Sequence, residues 1–393
     1  MYSKISMPKG FECAGISAGI KAGGAKDMAL IFSNTKAASA GVFTTNQVCA
    51  APVKVCREHL KHGLARAIVM NSGIANACTG SAGIVAAKDM AAEAARIIGC
   101  EAQEIFVCST GKIGPQLPLE KIIPGIGKLF EEAICANVQQ TAEAMMTTDT
   151  RPKVAAAEFG IDGKAVKIVG FAKGAGMIEP NMATMLSYIT TDAAVEQPAW
   201  QKALKQAVDA SFNRISVDGD QSTNDTVLAL ANGEAGNAPL SEVSEDWGIF
   251  CRELEKICFE LAMMIVHDGE GADRFVTVNV MGAESDDDAD LAARAVANSM
   301  LNKTAWAGSH PDWGRIMDSI GYSKARVVEE RVDIHYDDIQ AVSGGVRSDV
   351  PQEELIKVVS RSDFAININL DLGEGKATVY TCNCTEEYVR INY

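Results

Sequence analysis

The chain has 393 residues, of which 47% are hydrophobic and 22% charged, a globular composition with enough apolar mass for two or three domains. Its formal net charge at pH 7 is -15 and no long basic block offsets it, which argues against nucleic acid or an anionic membrane surface as a partner. A small anionic ligand is still compatible, because one or two lysines in a pocket are enough to bind it.

Targeting and cysteine signals indicate a soluble cytoplasmic protein. The first fifteen residues contain no apolar segment of the secretory type, and the longest strongly apolar run, Leu261–Val266, is far shorter than a membrane span. The eleven cysteines show no framework spacing and their number is odd. Cysteines without a pattern are usually small buried hydrophobic residues in a reducing compartment. We therefore expect no membrane partner.

Hydrophobic periodicity predicts a mixed sequence of helices and strands. In chain order, the predicted elements are a strand at Ala65–Asn71, a helix at Ser81–Ile98, strands at Ala165–Ala172 and Met185–Thr190, a helix at Asp246–Val266, and a strand at Phe275–Val280. After about residue 281 an acidic segment and a further helix precede strands of plain alternation. The clearest of these, Phe364–Leu372, turns at Gly373–Gly375 into a strand that ends near Cys382.

These elements predict a mixed α/β chain with mainly antiparallel sheet. The change in composition divides it into a core of residues 1–280 and a C-terminal α+β domain of residues 281–393.

Familiar nucleotide, metal and serine-nucleophile motifs are not matched. STGKIG resembles a P-loop, but Phe106 and Ile113 stand where that motif requires glycine and Ser/Thr. No histidine has zinc-ligand spacing to a cysteine, so we expect no metal. No serine occupies a GxSxG context. The five histidines are His59, His62, His267, His310 and His335.

Thr184 stands where a pliant loop meets an apolar strand. The glycine-rich, methionine-rich segment KGAGM leads through Glu179 and Pro180 to Ala183, and Thr184 directly precedes the predicted strand. Cleavage between Ala183 and Thr184 would free an α-amine that can act as the general base for the hydroxyl group of the same residue. From the residues alone, the favoured interpretation is an ordinary β-branched residue that opens a strand after a turn.

Ordered blocks along the chain resemble the bifunctional ornithine acetyltransferase/N-acetylglutamate synthase family of arginine biosynthesis. The blocks are Met70–Gly80, Ser109–Gly114, Met145–Lys153, Glu179–Ala193, Ser211–Thr226, His267–Ala272, His310–Ile316 and Thr385–Asn392. So many blocks in one order make chance similarity negligible. The resemblance implies a helix–sheet–sheet–helix sandwich of the N-terminal-nucleophile-like type, cleaved by the protein itself between residues 183 and 184, with a smaller C-terminal α+β domain.

The resemblance also assigns roles to individual residues. It implies that Thr184 is the nucleophile and that Thr110 and Gly111 form an oxyanion hole, because a hydroxyl group and a backbone N–H in a tight loop can both donate to a developing oxyanion. Without the resemblance, Ser109–Gly111 would be interpreted as a polar turn. The implied substrate-binding residues are Thr147, Lys173, Thr184, Glu270 and Asn392.

Two charged residues of this set have distinct implied roles. Lys173 supplies a cation for the α-carboxylate of the substrate, and Glu270 binds an ammonium group or orients the catalytic amine. Without the motif context, either residue would be interpreted as a solvated surface charge. Family members extend past the block that holds Asn392 and end in a threonine, whereas this sequence ends at Tyr393. In the resemblance, that threonine has no counterpart in this sequence, which leaves the acceptor end of the pocket open.

The implied reaction transfers an acetyl group from N2-acetylornithine to glutamate in a ping-pong cycle through an acetyl-Thr184 enzyme. The implied assembly is α2β2, built from an α chain of residues 1–183 and a β chain of residues 184–393. No cofactor is implied, and the sequence leaves open whether acetyl-CoA is a second acetyl donor. The alternatives are a self-processing aminopeptidase or amidase of the same fold, which typically uses serine, and an uncleaved ligand-binding protein.

Overall fold

The computed structural model describes residues 5–133, 137–179 and 185–393, which form two compact units. The first unit comprises the described residues up to Gly174, those from 185 to Asn213, and Asp220–Ile265. The second comprises Ala175–Glu179, Arg214–Gly219 and Val266–Tyr393. Two short segments of the central chain therefore belong to the unit that contains the C-terminus.

Among the described residues, the first unit contains one eight-stranded sheet. Its strands are β1 (Phe11–Ile16), β2 (Met28–Phe43), β3 (Leu64–Ile74), β4 (Ile105–Lys112), β5 (Lys153–Ile161), β6 (Lys164–Lys173), β7 (Leu186–Thr191) and β8 (Thr226–Ala231). The order is β4-β3-β2-β8-β7-β6-β5, with β1 also paired to β2. The accompanying helices are α1 (Ala51–His59), α2 (Gly80–Ile98), α3 (Leu119–Ala133), α4 (Val138–Met145), α5 (Gln197–Ala210) and α6 (Trp247–Val266).

The long strand β2 allows this sheet to fold into two layers. Its first part pairs with β3, and from Ala38 onward it pairs with β8, so it belongs to both halves of the sheet. Side chains from both halves then join one buried cluster, with Met70 and Cys108 from β3 and β4 and with Phe171 and Tyr188 from β6 and β7. The two halves therefore pack face to face.

Helices cover the outer faces of both layers. Val69 alternates with the inward-facing residues of β3 and packs in a second cluster with Met90 of α2 and Ile126 of α3. On the other side, the indole N–H of Trp200 in α5 donates to the carbonyl oxygen of Ala229 in β8 at 3.3 Å. The mixed α/β class predicted from the sequence pattern is confirmed, as are the layered helices and sheets that the family resemblance implies.

The second unit contains, within the described residues, a six-stranded sheet with helices α7 (Asp286–Asn298), α8 (Met300–Ala307), α9 (Trp313–Tyr322), α10 (Gln352–Val359) and α11 (Glu386–Asn392). Its strands are β9 (Phe275–Ala283), β10 (Asp333–Tyr336), β11 (Ile339–Ser343), β12 (Val346–Arg347), β13 (Asp363–Asn369) and β14 (Gly375–Cys382). The domain division after residue 280, inferred from composition, falls inside β9.

Most strand pairs in the described part of the chain are antiparallel, as the sequence predicts. The parallel pairs are β3–β4, β7–β8 and β9–β13. In a parallel pair both strands run in the same direction. The residues that directly precede the two strands therefore lie close together at one end of the sheet, and those that directly follow them lie together at the other end. This property positions the residues of the candidate site. Over the described ranges, no helix has the length and apolar character needed to span a membrane.

Candidate functional site

The predicted nucleophile Thr184 and its neighbour Ala183 lie outside the described residues. The next residue, Met185, is described and is buried, and β7 begins directly after it at Leu186. Met185 is therefore the described residue nearest to the predicted cleavage site on its C-terminal side.

Met185 is held by the residues that lead into β8. Because β7 and β8 are parallel with Leu186 opposite Thr226, Met185 lies beside Asp225. The backbone N–H of Met185 donates to the side-chain carboxyl group of Asp225. The N–H of Thr226 donates to the carbonyl oxygen of Met185 at 3.1 Å. Both polar backbone groups of the residue that follows Thr184 are thus fixed.

The residue before Asp225 connects this region to β4. The side-chain amide of Asn224 donates to the carbonyl oxygen of Ser109 at 2.8 Å and to that of Ala75 at 2.6 Å. Ser109 directly precedes Thr110, and Asn224 is itself buried. Asn224 and Asp225 therefore join the strand that holds the predicted oxyanion hole to the start of β7.

The predicted oxyanion residues Thr110 and Gly111 lie near the C-terminal end of β4, where the strand becomes accessible: Thr110 is half-buried and Gly111 is exposed. Gly111 lies opposite Gly73 of β3 and has a φ of +124°. A Cβ atom at position 111 would lie 2.3 Å from the carbonyl carbon of Gly73. Glycine is therefore required both by the backbone conformation and by the close approach of the two strands.

Two of the predicted substrate-binding residues, Thr147 and Lys173, are in direct contact. The ammonium group of Lys173, at the end of β6, donates to the hydroxyl group of Thr147 at 2.8 Å and lies 3.9 Å from Asp149 Oδ2. Asp149 Oδ1 accepts hydrogen bonds from Lys153 Nζ at 2.7 Å and from the N–H of Gly174 at 2.6 Å. The side chain of Lys173 is only 6% exposed. It is therefore a buried cation held at a defined position.

The two lysines determine the charge state of Asp149. Burial alone would raise the pKa of this carboxyl group, but the ammonium groups of Lys173 and Lys153 and the hydrogen bonds from Lys153 and Gly174 hold the pKa well below its ordinary value. Asp149 is thus a carboxylate at neutral pH, with one lysine at each oxygen.

Lys21 adds a further positive charge to this region. Its ammonium group donates to the carbonyl oxygen of Met146 at 2.6 Å, next to Thr147, and a Cβ atom on Gly73 would lie 3.2 Å from its Cγ. Burial lowers the pKa of Lys21; Asp27 opposes this effect and the charge of Lys173 adds to it. The first unit therefore concentrates lysines around the ends of β3, β4 and β6.

Glu270 and Asn392 meet within the second unit. The side-chain amide of Asn392 donates to Glu270 Oε2 at 2.6 Å, and the N–H of Glu270 donates to the carbonyl oxygen of Ala175 at 2.9 Å. A Cβ atom on Gly176 would lie 2.3 Å from the carboxyl carbon of Glu270, so glycine permits this approach. Helix α11 is tied to the same loop, since the hydroxyl group of Thr385 donates to Gly271 O at 2.6 Å.

A model described as the ArgJ family matches residues 12–393. The chain belongs to the ArgJ family. The resemblance found in the sequence blocks is thereby confirmed.

Relatives in the ArgJ family match over nearly the whole chain. The arginine biosynthesis bifunctional protein ArgJ of Geobacter sulfurreducens is 48% identical over 386 residues, covering 98% of either chain. The protein of the same name from Caldanaerobacter subterraneus is 43% identical over 393 residues, covering 99% of this chain and 97% of the relative. A crystal structure of the arginine biosynthesis bifunctional protein ArgJ from Bacillus halodurans is 40% identical with a TM-score of 0.52; the match covers 53% of this chain and 99% of that chain.

The site of this ArgJ-family chain contains residues that the sequence did not single out. Most of the internal contacts of the site are made by four such residues, namely Asn224, Asp225, Asp149 and Lys21. The first three lie inside the sequence blocks that carry the family resemblance. In the sequence, Asn224 and Asp225 appear only as polar residues just before a buried apolar strand, and Asp149 appears only as an acidic residue among threonines. In the residues that the structure describes, no cluster of His, Cys, Asp and Glu is suited to hold a metal ion.

The variant Asp149→Asn is expected to lower the free energy of unfolding at pH 7 by about 3–5 kcal/mol, because it removes the partner of two buried lysines. The folded-state pKa of Asp149 lies below its ordinary value of 3.8. Its stabilisation is therefore complete above that pH and is lost as the pH falls towards the folded-state value. Denaturant unfolding between pH 7 and pH 3 should show the wild type losing its advantage over Asp149→Asn below about pH 4.

A surface pair provides the control for this experiment. Lys202 and Glu242 form an ion pair with side chains that are 53% and 49% exposed. The variant Glu242→Gln should change the free energy of unfolding by less than about 1 kcal/mol at either pH. Equal stability of Asp149→Asn and the wild type at pH 7 would show that the buried ion pairs do not stabilise the fold.

Proposed function

We propose that this ArgJ-family chain is a self-processing N-acetyltransferase that moves an acetyl group from N2-acetylornithine to glutamate in arginine biosynthesis. The observation that carries the proposal is the link made by Asn224 and Asp225 between the backbone neighbours of Thr110 and of Thr184. Acyl transfer needs a nucleophile and oxyanion donors around one carbonyl group. The link supports a common site for Thr110 and Thr184, since it joins β4, which contains Thr110, to Met185, which directly follows Thr184.

The proposed first step is cleavage of the chain by its own threonine. The hydroxyl oxygen of Thr184 attacks the carbonyl carbon of Ala183, the C–N bond breaks, and the acyl group moves from nitrogen to oxygen. Water then hydrolyses the ester, which leaves an α chain of residues 1–183 and a β chain of residues 184–393 with a free α-amine. The hydrogen bonds of the Met185 backbone support this step, because they fix the residue that directly follows the reacting threonine in the sequence.

The proposed transfer uses the new N-terminus. The α-amine takes the proton of the Thr184 hydroxyl group, and the oxygen attacks the acetyl carbonyl of acetylornithine. The oxyanion accepts hydrogen bonds from the hydroxyl group of Thr110 and the N–H of Gly111. Ornithine leaves with a proton, and an acetyl-Thr184 ester remains. The amino group of glutamate then attacks this ester, which restores the enzyme and releases N-acetylglutamate.

Lys173 is proposed to bind the α-carboxylate that both substrates share. It is a buried ammonium group, and Thr147 beside it offers a hydroxyl group to the same ligand. Glu270 and Asn392, which are in contact within the second unit, are proposed as further substrate-binding residues. This reaction requires no metal or other cofactor. We further propose a cytoplasmic α2β2 assembly of the two chains.

One assay tests the proposed reaction. The purified protein is incubated with acetylornithine and glutamate, and N-acetylglutamate, ornithine and acetate are measured by mass spectrometry. We expect stoichiometric ornithine and N-acetylglutamate. Release of acetate without N-acetylglutamate would instead indicate a hydrolase of the aminopeptidase or amidase type. A parallel incubation with acetyl-CoA and glutamate determines whether acetyl-CoA is a second donor.

A further inference from the structure

Asp225 is a buried carboxyl group that the proposed reaction leaves without a role. The residue is only 2% exposed. One carboxyl oxygen accepts the hydrogen bond from the N–H of Met185. The other, Oδ2, is shielded from solvent and makes no hydrogen bond within the described parts of the chain. A buried polar atom without a hydrogen-bond partner calls for a physical explanation.

The ionised form of Asp225 would be energetically unfavourable at this buried position. A buried carboxylate needs hydrogen bonds or a paired cation to offset the loss of hydration. Lys173 is the charged residue that stabilises the ionised form, but its ammonium group already contacts Thr147 and Asp149. Burial raises the pKa of Asp225 well above its ordinary value, and neither the Met185 N–H nor Lys173 reverses this effect. The geometry therefore favours the protonated carboxyl group.

A proton on Asp225 has a consequence for Lys173. In the ionised state, Asp225 would add a second carboxylate near this lysine, beside Asp149, and would repel the carboxylate of a substrate. In the neutral state, one oxygen still accepts the hydrogen bond from the N–H of Met185, and no second negative charge is added near Lys173. The same side chain thus fixes the backbone next to Thr184 and keeps the binding site positive.

We propose that Asp225 is a positioning residue of the acyl-transfer centre that works as a neutral acid. Its carbonyl oxygen accepts the hydrogen bond from the backbone N–H of Met185, and the proton on its other oxygen keeps a second negative charge away from Lys173. This inference rests on the proposed acyltransferase function for its effect on rate, although the protonation state of Asp225 does not depend on that function.

Two substitutions separate the neutral acid from a carboxylate. The variant Asp225→Asn keeps the shape, the acceptor oxygen and the neutral charge, so chain cleavage and kcat should stay within about threefold of the wild type. The variant Asp225→Ala loses the hydrogen bond to Met185, so kcat should fall about 10- to 100-fold. KM should change little in either variant, because Lys173 keeps its charge. Equal loss of activity in both variants would overturn the proposal.

A control variant measures the general cost of removing a buried aspartate. Asp192 follows the other end of β7, is 5% exposed, and accepts the N–H groups of Lys9 at 3.0 Å and Lys167 at 2.8 Å. The variant Asp192→Ala should be less stable than the wild type, yet its kcat per folded molecule should be unchanged. A matching fall of kcat in Asp192→Ala would show that Asp225→Ala acts through stability alone.

Infrared spectroscopy tests the proton without any substrate. The difference spectrum of the wild type minus Asp225→Asn should contain the C=O stretch of a protonated carboxyl group, shifted in D2O. The same band is expected in the Thr184→Ala background, so it does not depend on chain cleavage. Absence of the band would overturn the neutral acid. A wild type that shows the band but transfers no acetyl group would contradict the proposed function and leave the protonated Asp225 established.

Discussion

The variant Thr184→Ala is expected to run on a denaturing gel as one uncut chain of 393 residues, whereas the wild type gives two fragments. Alanine has no hydroxyl group to attack the preceding carbonyl carbon, so neither the ester nor the free α-amine can form. Acetyl transfer should fall at least about 10³-fold, since the nucleophile and its base are lost together. N-terminal sequencing of the smaller wild-type fragments and mass spectrometry for an acetyl adduct provide the measurement.

A threonine in β7, the strand that follows Thr184 in the sequence, serves as the control. Thr190 is buried in β7, and its hydroxyl group donates to the carbonyl oxygen of Val169 at 3.1 Å. The variant Thr190→Ala should be cleaved normally and should form the acetyl adduct on Thr184. An adduct on any other residue, or cleavage of the Thr184→Ala chain at the same bond, would refute the assignment of Thr184 as the nucleophile.

The secondary structure was largely predictable because both units rely on simple hydrophobic periods. The helix predicted at Ser81–Ile98 is α2, and the one predicted at Asp246–Val266 is α6, each within one residue at its start. In the second unit the alternation of Val276, Val278 and Val280 describes β9, and all three are buried. Such patterns report which face of an element is covered, and that information is local.

The layering of the first unit could not be derived from periodicity. It depends on β2, which pairs with different strands along its length, and on the register that places Leu186 opposite Thr226. Register is a property of two segments that are distant in the sequence. Periodicity gave the faces of these strands, whereas only the resemblance to a family indicated that they form stacked layers.

The candidate site shows the same division between local and distant information. Considered by itself, Lys173 would be a surface charge, but it lies buried at the end of β6 because Thr147 and Asp149 provide its partners. Ser109–Gly111 would be a polar turn by local propensity, yet these residues extend β4 beside β3. In each case the deciding partner is a residue that no local pattern identifies.

Asn224 shows why a sequence block can be characteristic of a family although no local pattern explains its residues. Its side chain makes two hydrogen bonds to carbonyl oxygens of distant segments, at Ser109 and Ala75. Each of these segments lies more than one hundred residues before Asn224 in the sequence. The requirement for such a residue appears in the sequence only as a polar pair before β8.

The variant Gly111→Ala is expected to lower kcat for acetyl transfer about 10²- to 10³-fold, the usual effect of losing one oxyanion donor. The added Cβ atom would lie 2.3 Å from the carbonyl carbon of Gly73, so the strands must separate or residue 111 must rotate. Either movement displaces the N–H of residue 111 from the position of the oxyanion. The measurement is steady-state kinetics with acetylornithine and glutamate, and KM should change much less than kcat.

A variant at Gly114 distinguishes displacement of the residue 111 N–H from the effect of backbone strain alone. Gly114 lies three residues further along the same segment with a φ of +106°, and a Cβ atom there would meet no atom within 4 Å. The variant Gly114→Ala therefore carries the cost of a positive φ without the contact to Gly73, and its stability should fall by about 1–3 kcal/mol while kcat is retained. If Gly114→Ala loses as much kcat as Gly111→Ala, the loss comes from strain in the segment. If Gly111→Ala keeps its kcat, the N–H of residue 111 does not stabilise the oxyanion, and the hydroxyl group of Thr110 is left as the proposed donor.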